Sequence, residues 1–303
     1  MALGTDQVTI STAATFIPEI WSDEIVAAYK KNLVAANLFK KMSFAGKKGD
    51  TVHLPSPTRG SAAIKAANTQ VTLIAATEGD VAVSIDKHYE YSRLIEDIVE
   101  AQALSSLRRF YTDDAGYALA RQVDTSMIQL GRTFNGGSGV TYGGAYIGGD
   151  GTTAYTSGSS NASALTSAGI RRTVQRLDDA DVPMEGRFFL IPPSARNTLM
   201  GINEYTAQSF VGEVGGGNTI RNGEIGSLYG IPVFVSSNAD TATGGARIAL
   251  MGHKDAAVLV EQQGVRSQTQ YKQEYLGTLY TADTLYGVKE LRDNACFALA
   301  VPA

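Results

Sequence analysis

The amino-acid sequence predicts an α+β protein, and three observations carry that prediction. Apolar residues recur at helical steps in two places, from Pro18 and again from Leu94 to Leu130. Short β-like runs stand at Thr51-Val52-His53-Leu54-Pro55 and Val81-Ala82-Val83-Ser84-Ile85, and the last third of the chain alternates in the same manner. Glycine makes up 32 of the 303 residues, above the ordinary ~7%, which asks for long turns or extended arms rather than a helical bundle. The length suits about two domains of roughly 150 residues. Hydrophobic residues at 44% and charged residues at 18% exclude wholesale disorder. With 26 Lys and Arg against 30 Asp and Glu the net charge is −4, too acidic for a chain whose main task is to coat phosphate.

In chain order, residues 1–17 are rich in Thr, Ser, Ala and Gly, with too few apolar residues to fix a periodic element. They read as an extended arm that needs a partner surface to become ordered. Residues 18–45 read as an amphipathic N-terminal helix, with Pro18 near its first turn and Trp21, Ile25, Tyr29, Val26, Leu33 and the Leu38-Phe39 pair at helical steps. Residues 46–90 form an extended loop. Its two β-like runs flank residues 56–80, where Pro57, Gly60, Gly79 and many Ala and Thr fit a two-stranded ribbon better than a structureless loop of that size. The alternation Val71-Thr72-Leu73 adds a strand in the returning limb. Such a ribbon has too few large apolar residues to build a core and must lie on something else.

Residues 91–135 resume the helical period through Leu94, Ile95, Ile98 and Val99, then Leu107, Ala118, Leu119, Val123, Met127 and Leu130. A continuous helix over about 104–134 would run ~45 Å, a spine longer than an ordinary domain helix. Gly116 weakens it by ~1 kcal/mol relative to alanine, and Asn135-Gly136-Gly137 is the expected stop. Residues 136–262 read as a second domain. A Gly-, Ser-, Thr- and Tyr-rich linker leads into a helix through Ile170, Val174 and Leu177, then a buried strand, Phe188-Phe189-Leu190-Ile191, halted by Pro192-Pro193. After Gly215-Gly216-Gly217, Gly226-Ser227-Leu228-Tyr229-Gly230 reads as a turn before a strand that Pro232 sets extended. Residues 263–303 read as closing strands.

The motifs of chemistry are missing. His53, His88 and His253 lie at no metal-ligand spacing, and the lone Cys296 excludes disulfides and reads as an inert buried hydrophobe. There is no G-x-S-x-G elbow, and Gly46-Lys47 is followed by Lys48 rather than Ser or Thr, which fails the phosphate loop. Gly149-Asp150-Gly151-Thr152-Thr153-Ala154 lacks the preceding strand of a dinucleotide site, and Asp178-Asp179-Ala180-Asp181 meets Pro183 where a calcium loop needs glycine. The latter reads as a helix end with solvated carboxylates. Basic doublets such as Arg108-Arg109 and Arg171-Arg172 are dispersed and read as solvated faces or subunit contacts. No cofactor and no metal are expected. Neither a secretory signal nor a membrane-spanning run is found, so the expected place of synthesis is the cytoplasm, without a membrane anchor.

Three stretches in a particular order carry a family resemblance. Gly49-Asp50-Thr51-Val52-His53-Leu54-Pro55 opens the loop, Gly226-Ser227-Leu228-Tyr229-Gly230-Ile231-Pro232-Val233 makes a glycine turn plus strand, and Met251-Gly252-His253-Lys254-Asp255-Ala256-Ala257-Val258, Leu285-Tyr286-Gly287-Val288-Lys289 and Ala295-Cys296-Phe297-Ala298-Leu299 close the chain. Their order resembles the major capsid proteins of tailed double-stranded DNA bacteriophages, the Hong Kong 97-like fold. The resemblance implies an N-terminal arm, an extended β-ribbon loop, a peripheral domain with the spine helix, an axial domain at 136–262, and C-terminal strands at 263–303 returning to the peripheral domain. It implies a structural protein of the virion, not an enzyme, made in the host cytoplasm and assembling with itself as hexamers and pentamers of an icosahedral shell around double-stranded DNA.

A portal is the further partner implied, with a decoration protein as an optional addition. A helix starting near Pro18 leaves no room for a built-in scaffolding segment, so a separate scaffolding protein is expected. Some family members cross-link a loop lysine to a neighbour's asparagine. Lys65 is the only lysine in 56–80, but no asparagine or catalytic glutamate can be matched to it. Ion pairing of Lys65, Arg59 and Glu78 to an adjacent subunit is the reading preferred for that segment. The alternatives are another β-rich virion or surface-layer structural protein, which would form tubes or sheets, and an enzyme using residues outside every motif above.

Overall fold

The computed structural model describes residues 34–57, 60–71, 73, 78–98, 106–137, 147–155, 162–202, 226–242 and 244–303. The arm at 1–17, most of the expected N-terminal helix and the Gly215-Gly216-Gly217 cluster lie outside them.

The chain runs α1 (Ala35–Leu38), β1 (Lys40–Ser43), β2 (Thr51–Pro57), β3 (Glu78–Ser84), β4 (Lys87–Glu96), α2 (Ser106–Gln129), β5 (Ile147–Gly148), α3 (Ser167–Asp179), β6 (Arg187–Ile191) and α4 (Pro193–Met200). It ends with β7 (Ser227–Leu228), β8 (Ile231–Val235), β9 (Arg247–His253), β10 (Ala257–Lys272), β11 (Gly277–Glu290) and β12 (Cys296–Val301). The strands make a four-stranded sheet in the order β1-β10-β11-β4, a six-stranded sheet in the order β5-β12-β9-β6-β8-β7, and the ribbon β2-β3.

The six-stranded sheet is covered on both faces, which is why Phe188-Phe189-Leu190-Ile191 is apolar without a break. Phe188 and Leu190 enter a core with Met127, Ile128 and Phe134 from α2 and its exit, whereas Phe189 and Ile191 face Ile170 and Leu177 of α3 and Leu199 of α4. β9 and β12 divide their side chains in the same way, Leu250 and Ala298 to the first core, Met251 and Leu299 to the second. α3 starts where the Thr166 side chain accepts a hydrogen bond from the Gly169 amide and ends at the expected acidic group. Asp178 there is not merely solvated, because it pairs with the buried Arg187 at 2.7 Å.

The long helix exists: α2 has 24 described residues, about 36 Å, and from Leu130 gives way to two 3₁₀ turns that run to Gly136. Its first half lies on the four-stranded sheet, Ala115 and Leu119 against Ala282 of β11, and its end enters the main core.

Several expectations are corrected. In 18–45, the described helix is only α1, and Lys40–Ser43 is a strand parallel to β10, with Lys40 opposite Val258. The open edge of β10 captures this segment, and Met42 packs beside Val258 and Val260. The helical reading of Leu94 and Ile95 fails too. They belong to β4, which pairs with β11 over all ten of its residues, from Tyr286↔Lys87 to Gly277↔Glu96. Long-range pairing overrides a spacing that fits either structure. Val71 and Leu73 carry no strand; the ladder runs from Thr51↔Ser84 to Pro57↔Glu78. The presumed linker supplies an edge strand, β5, and a fully buried Tyr155. Finally, 263–303 does not return as one group: β11 joins the four-stranded sheet, but β12 lies between β9 and β5 in the six-stranded one.

Candidate functional site

Among the described residues, the ribbon is a part of the molecule that its own cores do not complete. Where it meets the body, Val83 and Ile85 are buried with Val258 and Val260, flanked by Val52, Leu54 and Phe44. Outward from there the burial ends. The His53 ring and the Asp80 carboxylate make an exposed hydrogen bond across the ladder, and residues 60–71 are exposed throughout. Ile64 is 100% exposed and Leu73 90% exposed, large apolar side chains for which a lone subunit offers no cover.

Arg59 lies outside the described residues, and so does the side chain of Glu78, whose backbone opens β3 opposite Pro57. Lys65 stands exposed and makes no ion pair among the described residues.

Sequence reasoning missed how the ribbon is held. Gly287 of β11 faces the end of β3, and a Cβ there would run into the Ser84 carbonyl oxygen. A glycine inside a strand pattern marks a close backbone approach, and that signal was present in Leu285-Tyr286-Gly287-Val288. Gln262 of β10 donates its side-chain amide to the carbonyls of Lys47 at 2.9 Å and Gly49 at 3.0 Å, just before β2. Nothing in the sequence announces that contact.

A second polar cluster crosses the same sheet. Asp283 of β11 accepts from Arg266 Nε at 3.1 Å and Nη2 at 2.9 Å, and from Gln263 at 2.8 Å, with His88 of β4 at 3.3 Å. The Arg266 guanidinium, aided by His88 and Gln263, holds the carboxyl down to about 2. These contacts join strands rather than bind a ligand.

Of the histidines, His253 is buried with Nε2 on the Glu185 carbonyl and Nδ1 on the Asp255 amide, a ring used as a structural tie. No group of three or more His, Cys, Asp or Glu suited to a metal exists among the described residues. Cys296 is fully buried, and burial pushes its thiol far above the ordinary range, so it is not poised as a nucleophile. No described helix is long and apolar enough to cross a membrane.

The sequence profile of a family described as phage capsid protein matches residues 36–295. The chain belongs to that family. Solved structures agree with this capsid protein along nearly its whole length. One from Mycobacterium phage Che8 is 23% identical, covers 94% of this chain and 97% of its own, and superposes with a TM-score of 0.73. The capsid structure of the Cyanophage P-SCSP1u is 18% identical, covers 99% and 96%, and gives 0.76. The capsid of Ralstonia phage GP4 is 16% identical, covers 94% and 95%, and gives 0.67. A search of curated proteins finds no match. The fold is the Hong Kong 97-like one, the function that of a capsid component located in the virion, and the family one of structural proteins rather than enzymes.

Proposed function

We propose that copies of this capsid protein assemble as hexamers and pentamers into an icosahedral shell that encloses double-stranded DNA, each ribbon being covered by a neighbouring copy. The observation that carries this reading is the exposure of Ile64 and Leu73 at the far part of a ribbon whose near part is packed. In it, α2 and the four-stranded sheet make the peripheral domain and the six-stranded sheet the axial domain, with residues 1–17 as an arm ordered by neighbours. Lys65, Arg59 and Glu78 then form ion pairs to an adjacent subunit, worth about 0–1 kcal/mol each but repeated around the shell. A net charge of −4 suits a container, because a wall that releases few counterions from DNA does not pin the genome. A separate scaffolding protein and a portal are the partners that assembly and filling require, and a decoration protein would bind the finished outer surface.

Replacing residues 58–77 by a short turn that joins β2 to β3 tests the reading. The expected product is a soluble subunit that forms no closed shells in negative-stain micrographs. Normal shells from that variant would overturn it. Assembled wild-type shells boiled in detergent are expected to run as single chains, because Lys65 has no matched partner for a covalent bond; ladders of multiples would show a cross-link instead.

A further inference from the structure

The start of β2 is held by a residue in an irregular place. β10 and β11 pair Glu261 with Tyr286 and Gln263 with Leu285, so β10 spends two residues where β11 spends one. Gln262 is the extra residue. A bulge of this kind bends its strand and re-aims a side chain. Here Gln262 sends both hydrogens of its amide nitrogen to the Lys47 and Gly49 carbonyls, while Gln263, next in the chain, reaches Asp283.

The segment so gripped is a pivot by its own chemistry. Gly46 and Gly49 have φ of +78° and +142°, values that glycine alone adopts without strain. Immediately downstream the ribbon begins, with the Ile85 amide donating to the Asp50 carbonyl at 2.7 Å and Thr51 opposite Ser84. The other limb is seated against Gly287. Of the two limbs, β3 buries Val83 and Ile85, whereas β2 gives the same core only the partly buried Val52 and Leu54, and the segment leading into it is held in addition by polar contacts, among them the Phe44 amide to the Glu261 carbonyl at 2.8 Å and the two bonds from Gln262.

We propose that Gln262 is a positioning residue for assembly: its two amide hydrogen bonds lock the glycine pivot at 46–49 and thereby set the angle at which the ribbon leaves the subunit. The consequence for shells rests on the ribbon being a subunit contact, as proposed above; the lock itself does not.

Three variants of the full chain separate these claims. Gln262→Met keeps the length and removes both donors, Gln262→Glu opposes the carbonyls with a carboxylate, and Gln262→Lys restores a donor. In unassembled chains, hydrogen exchange of amides in 44–57 is expected to rise about tenfold in Gln262→Met and Gln262→Glu, with exchange in α2 and β12 unchanged and Gln262→Lys close to wild type. On assembly, the first two are expected to give misshapen or mixed-size shells and Gln262→Lys regular ones.

Unchanged exchange in 44–57 would overturn the lock. Raised exchange with regular shells would overturn the positioning role, and regular shells from the 58–77 replacement as well would show that the ribbon reading itself had failed.

Discussion

Asp124 lies on α2 with none of its surface exposed, and its two oxygens serve two distant segments. One accepts from the Ala35 amide at 2.7 Å, the other from the Asn238 side chain at 2.9 Å, so a single carboxylate ties α1 and the loop after β8 to the same helix. Asp124→Ala leaves the buried Ala35 amide without its acceptor and takes from the Asn238 amide one of its two, Thr125 Oγ1 at 3.0 Å remaining, and is expected to lower stability in denaturant titration by about 2–3 kcal/mol. At Gly287 the cost is steric: Gly287→Val pushes a branched side chain into the Ser84 carbonyl, for an expected loss of about 1–3 kcal/mol in the same measurement.

Asp283 contributes a pH dependence. Its carboxyl titrates at about 2 in the folded chain, below the ~3.9 of an unfolded aspartate, so the stabilisation is fully present above ~4 and is lost as pH falls toward 2. Asp283→Asn is therefore expected to lower stability at pH 7 by about 1 kcal/mol. The gap from wild type should close between about pH 4 and pH 2 in chemical denaturation curves. None of these residues stands out in a single sequence, because an aspartate at a buried junction and one on a solvated face are written with the same letter.

Among the elements, α2 offers a simple test. Gly116 sits inside the helix, and a Cβ built there meets nothing within 4 Å. Gly116→Ala in the unassembled chain is expected to raise stability by about 0.5–1 kcal/mol, read as a higher melting temperature, through helix propensity and a less flexible unfolded chain. Elements whose signal is local were legible in the sequence: the body of α2, the helix α3, the buried strand β6 and the turn into β8 all follow from periodicity, proline and glycine. Elements that exist only because a partner strand receives them were not. Lys40–Ser43 and Lys87–Glu96 are strands because β10 and β11 offer edges 181 or more residues away in the chain, from Gly277 opposite Glu96 to Val258 opposite Lys40. The ribbon was legible for the opposite reason, since its lack of large apolar residues could be counted; its anchorage by Gln262 depends on a bulge and could not.

For the whole molecule, the charge balance gives a measurable expectation. A subunit with a net charge of −4 should not retard duplex DNA in a gel at physiological salt, and retardation would mean that a concentrated basic surface exists despite the acidic total. Order along the chain matters as much as charge. Residues 296–301 are translated after β1 to β11, yet in the six-stranded sheet they sit between β9 and β5, with Leu299 beside Ile147 and Ala249. A nascent chain still lacking them has β5 without its neighbour and β9 with one side bare, however far the ribosome has already carried the ribbon. The ribbon therefore leaves the ribosome before the six-stranded sheet can close, and a truncated chain that stops short of Cys296 is expected to leave the apolar edges of β9 and β5 bare and to aggregate.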